Sequence, residues 1–146
     1  MYCSSKSRSL ISLAILVIFI LQTNLLKAYA HAIFEINNVS SSDGYVVLHL
    51  YENKTSFKKF NPDRIYKKMA TKGKTIIPIN DYHEGDIAIF VFHDENSDEE
   101  FNTSIFWTPK EGYAYSNSYI PTSFPKYEEA LFRLEHGVAV NLELIY

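Results

Sequence analysis

Apolar and polar residues alternate with a period of two along most of this chain, which is the spacing that sends successive side chains to opposite faces of a β-strand. Turn-forming residues such as Gly, Asn, Asp and Ser separate several of these segments, and none of the segments has a sustained helical period. The predicted strands are residues 33–37 (IFEIN), 45–51 (YVVLHLY), 74–79 (KTIIPI), 87–93 (IAIFVFH), 129–134 (EALFRL) and 138–145 (VAVNLELI).

The order of these strands predicts an all-β domain over residues 31–146. We expect an antiparallel β-sandwich of about seven strands, of the immunoglobulin-like or transthyretin-like type. The first two strands are predicted to form one hairpin, and the last two a closing hairpin around Gly137. Pro78 has no N–H to donate, so it should lie at a sheet edge or at a strand end. Residues 52–73 predict a long basic crossover with one helical turn near residues 63–69.

The strand at residues 87–93 is apolar on both faces, whereas a strand in a two-layer sandwich meets the core with only one face. A second face left open would be a large exposed apolar patch, so another segment must cover it. The aromatic segment 106–127 is the best candidate in the sequence. We expect this long loop to fold back over the sheet face, with Trp107 or Tyr113 largely buried.

The pattern of the first thirty residues predicts a signal peptide. Lys6 and Arg8 precede an apolar run over residues 10–21, which is short for a membrane span and suits a signal sequence. Cleavage is expected after Ala30, or after Ala32 in an alternative frame. The protein is therefore expected to be exported to the periplasm or the cell surface, with no membrane span after cleavage. A retained membrane anchor is the alternative.

Charge and cysteine content narrow the possible functions. All 17 acidic residues follow Ala30, and three of the 14 basic residues precede it, so the net charge after cleavage is 11 − 17 = −6. A chain this acidic is poorly suited to binding nucleic acid, whose phosphates require a basic surface. Cys3 is the only cysteine, so the exported domain has no disulfide and no thiolate zinc site.

An acidic loop follows the strand at residues 87–93 and carries the strongest candidate chemistry. Asp94, Asn96 and Asp98 place oxygen-bearing side chains at alternate positions, and Asn102 lies four residues further on. A tight loop can direct such side chains towards one hard cation, so these four residues are candidate calcium ligands and calcium is the possible cofactor.

Two positions depart from a complete calcium loop. Glu99 stands where the sharp turn of such loops calls for Gly, and Ile105 stands where a bidentate Glu belongs. The alternative is a solvated acidic hairpin tip that binds no metal. The loop can therefore be interpreted either as a weak calcium site or as a source of solubility.

Other chemistries have weaker support in the sequence. His93, Asp94 and Ser116 would be the members of a hydrolytic triad, but no nucleophile-elbow pattern accompanies them. His31, at a mature N-terminus, would chelate copper only together with a second histidine such as His49. The aromatic residues after position 105 would stack on sugar rings if they were exposed. The protein is accordingly not expected to be an enzyme.

Several short motifs occur in a recognisable order. They are His93-Asp94-Glu95-Asn96, Pro109-Lys110-Glu111-Gly112-Tyr113, Ser116-Asn117, and residues 124–130 (FPKYEEA) before the last strands. The set resembles the bacterial domain-of-unknown-function 2141 family. The resemblance implies an exported protein with an immunoglobulin-like or transthyretin-like sandwich, and no established activity. The family's loop after HDEN usually continues with Gly and Asn and ends in Asp, whereas this chain has Glu99 and Asn102.

These observations favour a non-enzymatic exported module. Through the face formed by residues 94–127 it would bind a partner protein, a glycan or an envelope component. A calcium-stabilised structural domain is the first alternative, and an envelope hydrolase or copper protein is the second. The residues expected to form the interaction surface or to order the loop are His93, Trp107, Lys110, Glu111, Tyr113, Ser116 and Asn117.

Overall fold

Eight strands form two packed sheets in the computed structural model, which describes residues 32–82, 84–105 and 108–146. The strands are β1 (Ala32–Val39), β2 (Tyr45–Tyr51), β3 (Arg64–Met69), β4 (Gly73–Ile79), β5 (Gly85–Asp94), β6 (Tyr113–Tyr115), β7 (Leu131–Leu134) and β8 (Val138–Glu143). Two short helices, α1 (Lys54–Lys58) and α2 (Tyr127–Ala130), and a 3₁₀ turn (Ser116–Ser118) complete the described elements. The predicted signal peptide, its cleavage after Ala30, and Trp107 lie outside the described residues.

The first sheet has the order β4-β1-β8. The second has the order β3-β2-β5, and β6 and β7 lie end to end along the far edge of β5. Strand β1 pairs antiparallel with β4 but parallel with β8, so the first sheet is mixed. The predicted all-β sandwich is confirmed, and its strand pairs are antiparallel as expected except for that of β1 with β8. Pro78 lies on edge strand β4, as its missing N–H predicts.

Both predicted hairpins are wrong. Strand β1 belongs to the first sheet and β2 to the second, so the turn between them crosses from sheet to sheet. The same holds for the last two strands, because β7 pairs with β5 while β8 pairs with β1. The predicted crossover at residues 52–73 contains helix α1 and strand β3, and the expected helical turn near residues 63–69 is instead a strand paired with β2.

The core between the sheets is built from the inward side chains of both. Phe34 and Ile36 from the first sheet meet Leu48, Ile89 and their neighbours from the second, and these side chains are fully buried. Burial of an aliphatic or aromatic side chain of this size contributes about 1.5–3 kcal/mol each before entropy is counted. This core fixes the position of β5, whose last residues carry the candidate site.

A second apolar cluster lies on the face of the second sheet that points away from the core, which we call the outer face. It includes Phe90 and Phe92 of β5, as the two-sided pattern of that strand requires. The cover is only partly the predicted one. Tyr119 and Tyr127 come from the expected segment, but Phe57 of α1 and Phe101 of the acidic loop also contribute.

The aromatic residues at positions 113 and 115 do not form a flap. Tyr113 and Tyr115 are on strand β6, in the sheet itself, where they pair with Phe92 and Phe90. Tyr115 is buried, Tyr113 is partly buried against the second apolar cluster, and Trp107, the other residue expected to be buried, lies outside the described residues.

Candidate functional site

The candidate site lies where β5 ends and the chain enters the acidic loop. Side-chain oxygens of Asp94, Asp98 and Glu111 lie within 4.8 Å of one another. Asp94 and Glu111 are buried, whereas Asp98 is exposed. We call this group the carboxylate cluster. Among the described residues, no Lys or Arg forms an ion pair with any of its three members.

The cluster forms because the loop returns on itself. Thr103 and Pro109 form a β-bridge, and the Lys110 N–H donates to the Asn102 carbonyl at 3.0 Å. This return brings Glu111 back to the start of the loop, where its carboxylate accepts the Asn102 N–H at 3.0 Å. The sequence analysis missed Glu111 as a candidate ligand, because thirteen positions separate it from Asp98 and no regular spacing relates the two.

The buried carboxylate of Asp94 organises the turn above it. Its two oxygens accept the backbone N–H groups of Asp98 and Glu99, each at 3.1 Å. Ser97 and Glu99 adopt positive φ angles of 61° and 65°. The sharp turn therefore forms without Gly, at a cost of about 1–2 kcal/mol for each non-glycine residue held in this conformation. The missing Gly does not prevent the loop from closing.

The two predicted Asn ligands also reach the cluster. Asn96 and Asn102 donate their side-chain N–H groups to Asp98 Oδ2 at 2.8 and 2.9 Å. All four predicted ligands and Glu111 are therefore gathered at one place. In this orientation the amides present nitrogen, and rotation of an amide by 180° would present its oxygen instead.

The cluster is electrostatically unbalanced. Burial raises the pKa of Glu111, and the nearby carboxylates of Asp94 and Asp98 raise it further. The pKa of Asp98 is lowered instead, first by the Glu100 backbone N–H and then by the amides of Asn102 and Asn96. The opposite directions of these two pKa shifts mean that Glu111 takes up a proton more readily than Asp98 does when no cation is bound.

His93 lies on the face of β5 opposite to that of Asp94, and its side chain is fully buried. Its Nε2 lies 2.9 Å from the Asp43 carbonyl, so the Nε2–H group donates there. Its Nδ1 lies 3.1 Å from the Tyr146 hydroxyl and 3.3 Å from Ser40 Oγ. His93 therefore ties the β1–β2 turn and the last residue of the chain to the end of β5.

Ser116 and Asn117 hold together the two short strands that share the edge of β5. Strand β6 pairs with residues 90–92 and β7 with residues 85–88, which leaves Ile89 between them. Ser116 Oγ accepts the Ile89 N–H at 2.9 Å and donates to the Ala130 carbonyl. The Asn117 side chain donates to the carbonyls on either side of Ala130.

The other predicted chemistries are not assembled among the described residues. No hydrogen bond joins Ser116 to His93, so the proposed hydrolytic triad is not formed. His49 lies on the outer face and His93 on the inner one, and the copper candidate His31 lies outside the described residues. Lys110 is exposed, and its backbone, rather than its side chain, contacts the loop.

The outer face beside the cluster combines buried aromatic rings with open apolar residues. Phe101 of the acidic loop packs on Phe90 and Phe92, with ring centroids 5.0 and 5.6 Å apart. On edge strand β3, Ile65 and Met69 are 59% and 71% exposed. The acidic loop thus covers the part of the outer face formed by β5, and the part formed by edge strand β3 stays exposed.

Comparison with known proteins gives one match. Residues 34–141 match a family described as an uncharacterized protein conserved in bacteria (DUF2141). No curated protein and no solved structure matches the chain. The match includes the whole carboxylate cluster and all of the described strands except the first two residues of β1 and the last two of β8.

Proposed function

Since this chain belongs to the DUF2141 family, for which no activity is described, we propose that it is an exported, non-enzymatic bacterial domain whose acidic loop binds calcium. The observation that carries the proposal is the carboxylate cluster of Asp94, Asp98 and Glu111. Three carboxylate groups within 4.8 Å of one another, with two of them buried, repel one another unless a cation or a proton joins them.

The donor set favours calcium over other cations. Every candidate ligand offers oxygen, and calcium takes six to eight oxygens at flexible geometry. Carboxylates from Asp94, Asp98 and Glu111, the two Asn amides and water would supply that number. Magnesium requires a near-octahedral arrangement, which a loop of irregular backbone supplies poorly. Zinc and copper favour nitrogen or sulfur ligands, and the ring of His93 faces the other side of the strand.

Calcium would order the loop and the aromatic cover that depends on it. Glu99 of the same loop pairs with Lys67 of β3 at 2.7 Å, and Phe101 packs over β5. Binding at the cluster would hold both contacts in place, because they lie on the backbone that the cluster folds. The ion would therefore act as a structural component, with no substrate and no chemical step.

Export and the absence of catalysis are supported by the rest of the chain. The leader pattern of residues 1–30 predicts export, where calcium reaches the millimolar concentrations that weak sites require. Among the described residues, no helix is long and apolar enough to cross a membrane. The hydroxyl of Ser116 and the ring of His93 are both engaged in bonds that hold strands and turns together.

The test is calcium-dependent thermal stability. Protein treated with EDTA should gain roughly 10 °C in melting temperature when calcium is present at about 100 times its dissociation constant, which corresponds to about 2.7 kcal/mol. The Asp94→Ala, Asp98→Ala double variant should lose this gain. A Glu84→Gln, Glu135→Gln double variant, which removes two exposed carboxylates elsewhere, should keep it. A melting temperature that stays equal to the value in EDTA up to about 100 mM calcium, roughly 100 times a millimolar dissociation constant, would reject the proposal.

A second candidate function is binding of a partner protein, a glycan or an envelope component through the exposed part of the outer face. The specific observation is the exposure of Ile65 and Met69 beside half-buried Tyr45 and His49. An Ile65→Ser, Met69→Ser variant should sediment less with isolated bacterial envelopes than the wild type does. Ile76→Ser, on the other sheet, is the matched control. Equal sedimentation of all three proteins would contradict this function.

A further inference from the structure

The edges of the two sheets differ in how well they are protected against pairing with another strand. Edge strands in soluble proteins usually carry Lys, Pro or other features that block addition of a further strand. Strand β4 carries Lys74 and Pro78, and β3 carries Arg64 and Lys68. Strand β8 (VAVNLE) contains no Lys, Arg or Pro and only one charge, at its end.

Along one side, the backbone of β8 has no strand partner among the described residues. The Leu144 N–H donates to the Asn37 carbonyl and continues the ladder with β1, whereas Ile145 exchanges both hydrogen bonds with Tyr113 on the other side. Alternate residues of a strand direct their backbone groups to opposite sides. The groups that point away from β1, and for which the described residues provide no strand partner, therefore belong to Ala139, Asn141 and Glu143.

An apolar groove runs beside this open edge. It has a volume of about 220 Å³, and its lining includes Phe132 and Leu134 of β7 and Val138 and Val140 of β8. Val138 is 40% exposed. The edge thus offers both free backbone hydrogen-bonding groups and apolar side chains, which are the two features that strand addition uses.

We propose that β8 pairs with β8 of a second copy of this chain. The two strands would run antiparallel about a two-fold axis at Asn141, and join the three-stranded sheets into one six-stranded sheet. In this register Asn141 faces its own counterpart, Glu143 faces Ala139 of the second copy, and Val140 faces Leu142. Apolar residues meet apolar residues and no like charges are opposed, so the strand complements itself.

The interface would be small. The three outward residues of each copy allow about six backbone hydrogen bonds between the strands. An interface of this size supports a reversible dimer rather than an obligate one. The proposal concerns β8 alone and does not depend on calcium binding at the carboxylate cluster on β5, so the failure of either leaves the other in place.

Cysteine cross-linking tests both the pairing and its register. Facing residues of a hydrogen-bonded antiparallel pair have Cα atoms about 5.5 Å apart, which a disulfide can bridge. Asn141→Cys in a Cys3→Ser background should form a covalent dimer under mild oxidation, and reduction should reverse it. Ile76→Cys, an exposed residue on edge strand β4, is the matched control and should stay monomeric. Cross-linking of Asn141→Cys no faster than that of Ile76→Cys would overturn the proposal.

Sedimentation of the protein without cysteine substitutions gives an independent readout. The wild type should show a concentration-dependent monomer–dimer equilibrium, and Asn141→Lys should weaken it at least about tenfold by placing two positive charges face to face. Circular dichroism checks that the exposed substitution leaves the fold intact. A wild type that stays monomeric to about 1 mM, well above the dissociation constant of a micromolar dimer, would overturn the proposal, even if β8 then binds a different protein. A dimer that Asn141→Lys leaves unchanged would also overturn it.

Discussion

Replacing Glu111 with Gln is the most informative single perturbation of the carboxylate cluster. Gln has nearly the same shape, and its side-chain oxygen can still accept the Asn102 N–H that Glu111 accepts at 3.0 Å. Only the charge is lost. In EDTA at neutral pH we therefore expect Glu111→Gln to be more stable than the wild type, although it alters a buried polar residue.

The magnitude follows from the separation of the two buried carboxylates. Oxygens of Asp94 and Glu111 lie within 4.8 Å, so at an effective dielectric constant of about 20 their repulsion is about 3.5 kcal/mol. Loss of the charged character of the Asn102 hydrogen bond offsets about 1 kcal/mol of this. The expected gain is about 2.5 kcal/mol, or roughly 9 °C in melting temperature for a domain of this size.

The pH dependence has a definite sign. The pKa of Glu111 is raised in the folded state, so between its unfolded and folded pKa values the folded protein binds more protons than the unfolded chain. The stability of the calcium-free wild type relative to Glu111→Gln should therefore fall as the pH rises through this interval, and level off above it. Saturating calcium should reverse the sign of this slope, because it binds the ionised carboxylate of the folded protein and so favours loss of the proton.

The assay is urea or thermal unfolding of both proteins in EDTA between about pH 4 and pH 8, with Glu135→Gln as the control for loss of an exposed charge. The quantity to follow is the difference between variant and wild type, because other groups titrate in the same range and cancel in it. A Glu111→Gln variant that is less stable than the wild type in EDTA at pH 7 would refute the reasoning. So would a difference that does not change with pH.

Three further predictions concern the rest of the fold. Gly112→Ala should cost about 1–3 kcal/mol in urea unfolding, because an added Cβ would lie 2.3 Å from the Tyr146 ring; a loss below 0.5 kcal/mol would contradict this packing. Ser116→Ala should cost about 1–3 kcal/mol in the same assay, because it leaves the Ile89 N–H buried without its partner; a neutral effect would contradict that bond. Burial lowers the pKa of His49 to about 4, so its imidazole should stay neutral at pH 5.5 in an NMR titration. Because the unfolded chain then binds the proton first, this group removes about 3 kcal/mol of stability as the pH falls from about 6.5 to about 4.

Local patterns were sufficient to predict most of the strands. Strand β5 was evident because both of its faces are apolar, and the same observation required a cover over the outer face. Strand β3 was missed because its alternating positions are largely basic or exposed, and only its pairing with β2 makes it a strand. Alternation of apolar and polar residues arises because one face of a strand is buried. A strand at an exposed sheet edge buries little of either face, so its sequence alternates only weakly.

The pairing of strands could not be read from neighbouring segments. The loop between β7 and β8 is as short as a hairpin loop, yet the two strands join different sheets. The parallel pair of β1 and β8 joins residues about a hundred positions apart, and nothing local encodes it. The carboxylate cluster has the same origin, since Glu111 reaches Asp94 only through the return at Thr103 and Pro109.

The motifs that carry the family resemblance can now be given separate physical roles. In HDEN, His93 and Asp94 point to opposite faces of β5, so one side chain ties the β1–β2 turn and Tyr146 to this strand while the other begins the acidic loop. Glu111 completes the cluster, and Ser116 bridges the gap between β6 and β7. Within the described part of the chain, no Lys or Arg forms an ion pair with the carboxylates of the cluster. Removing the charge of such a group should raise stability, whereas removing a structural bond should lower it. The opposite signs expected for Glu111→Gln and Ser116→Ala therefore separate a binding site from a structural one within a single motif set.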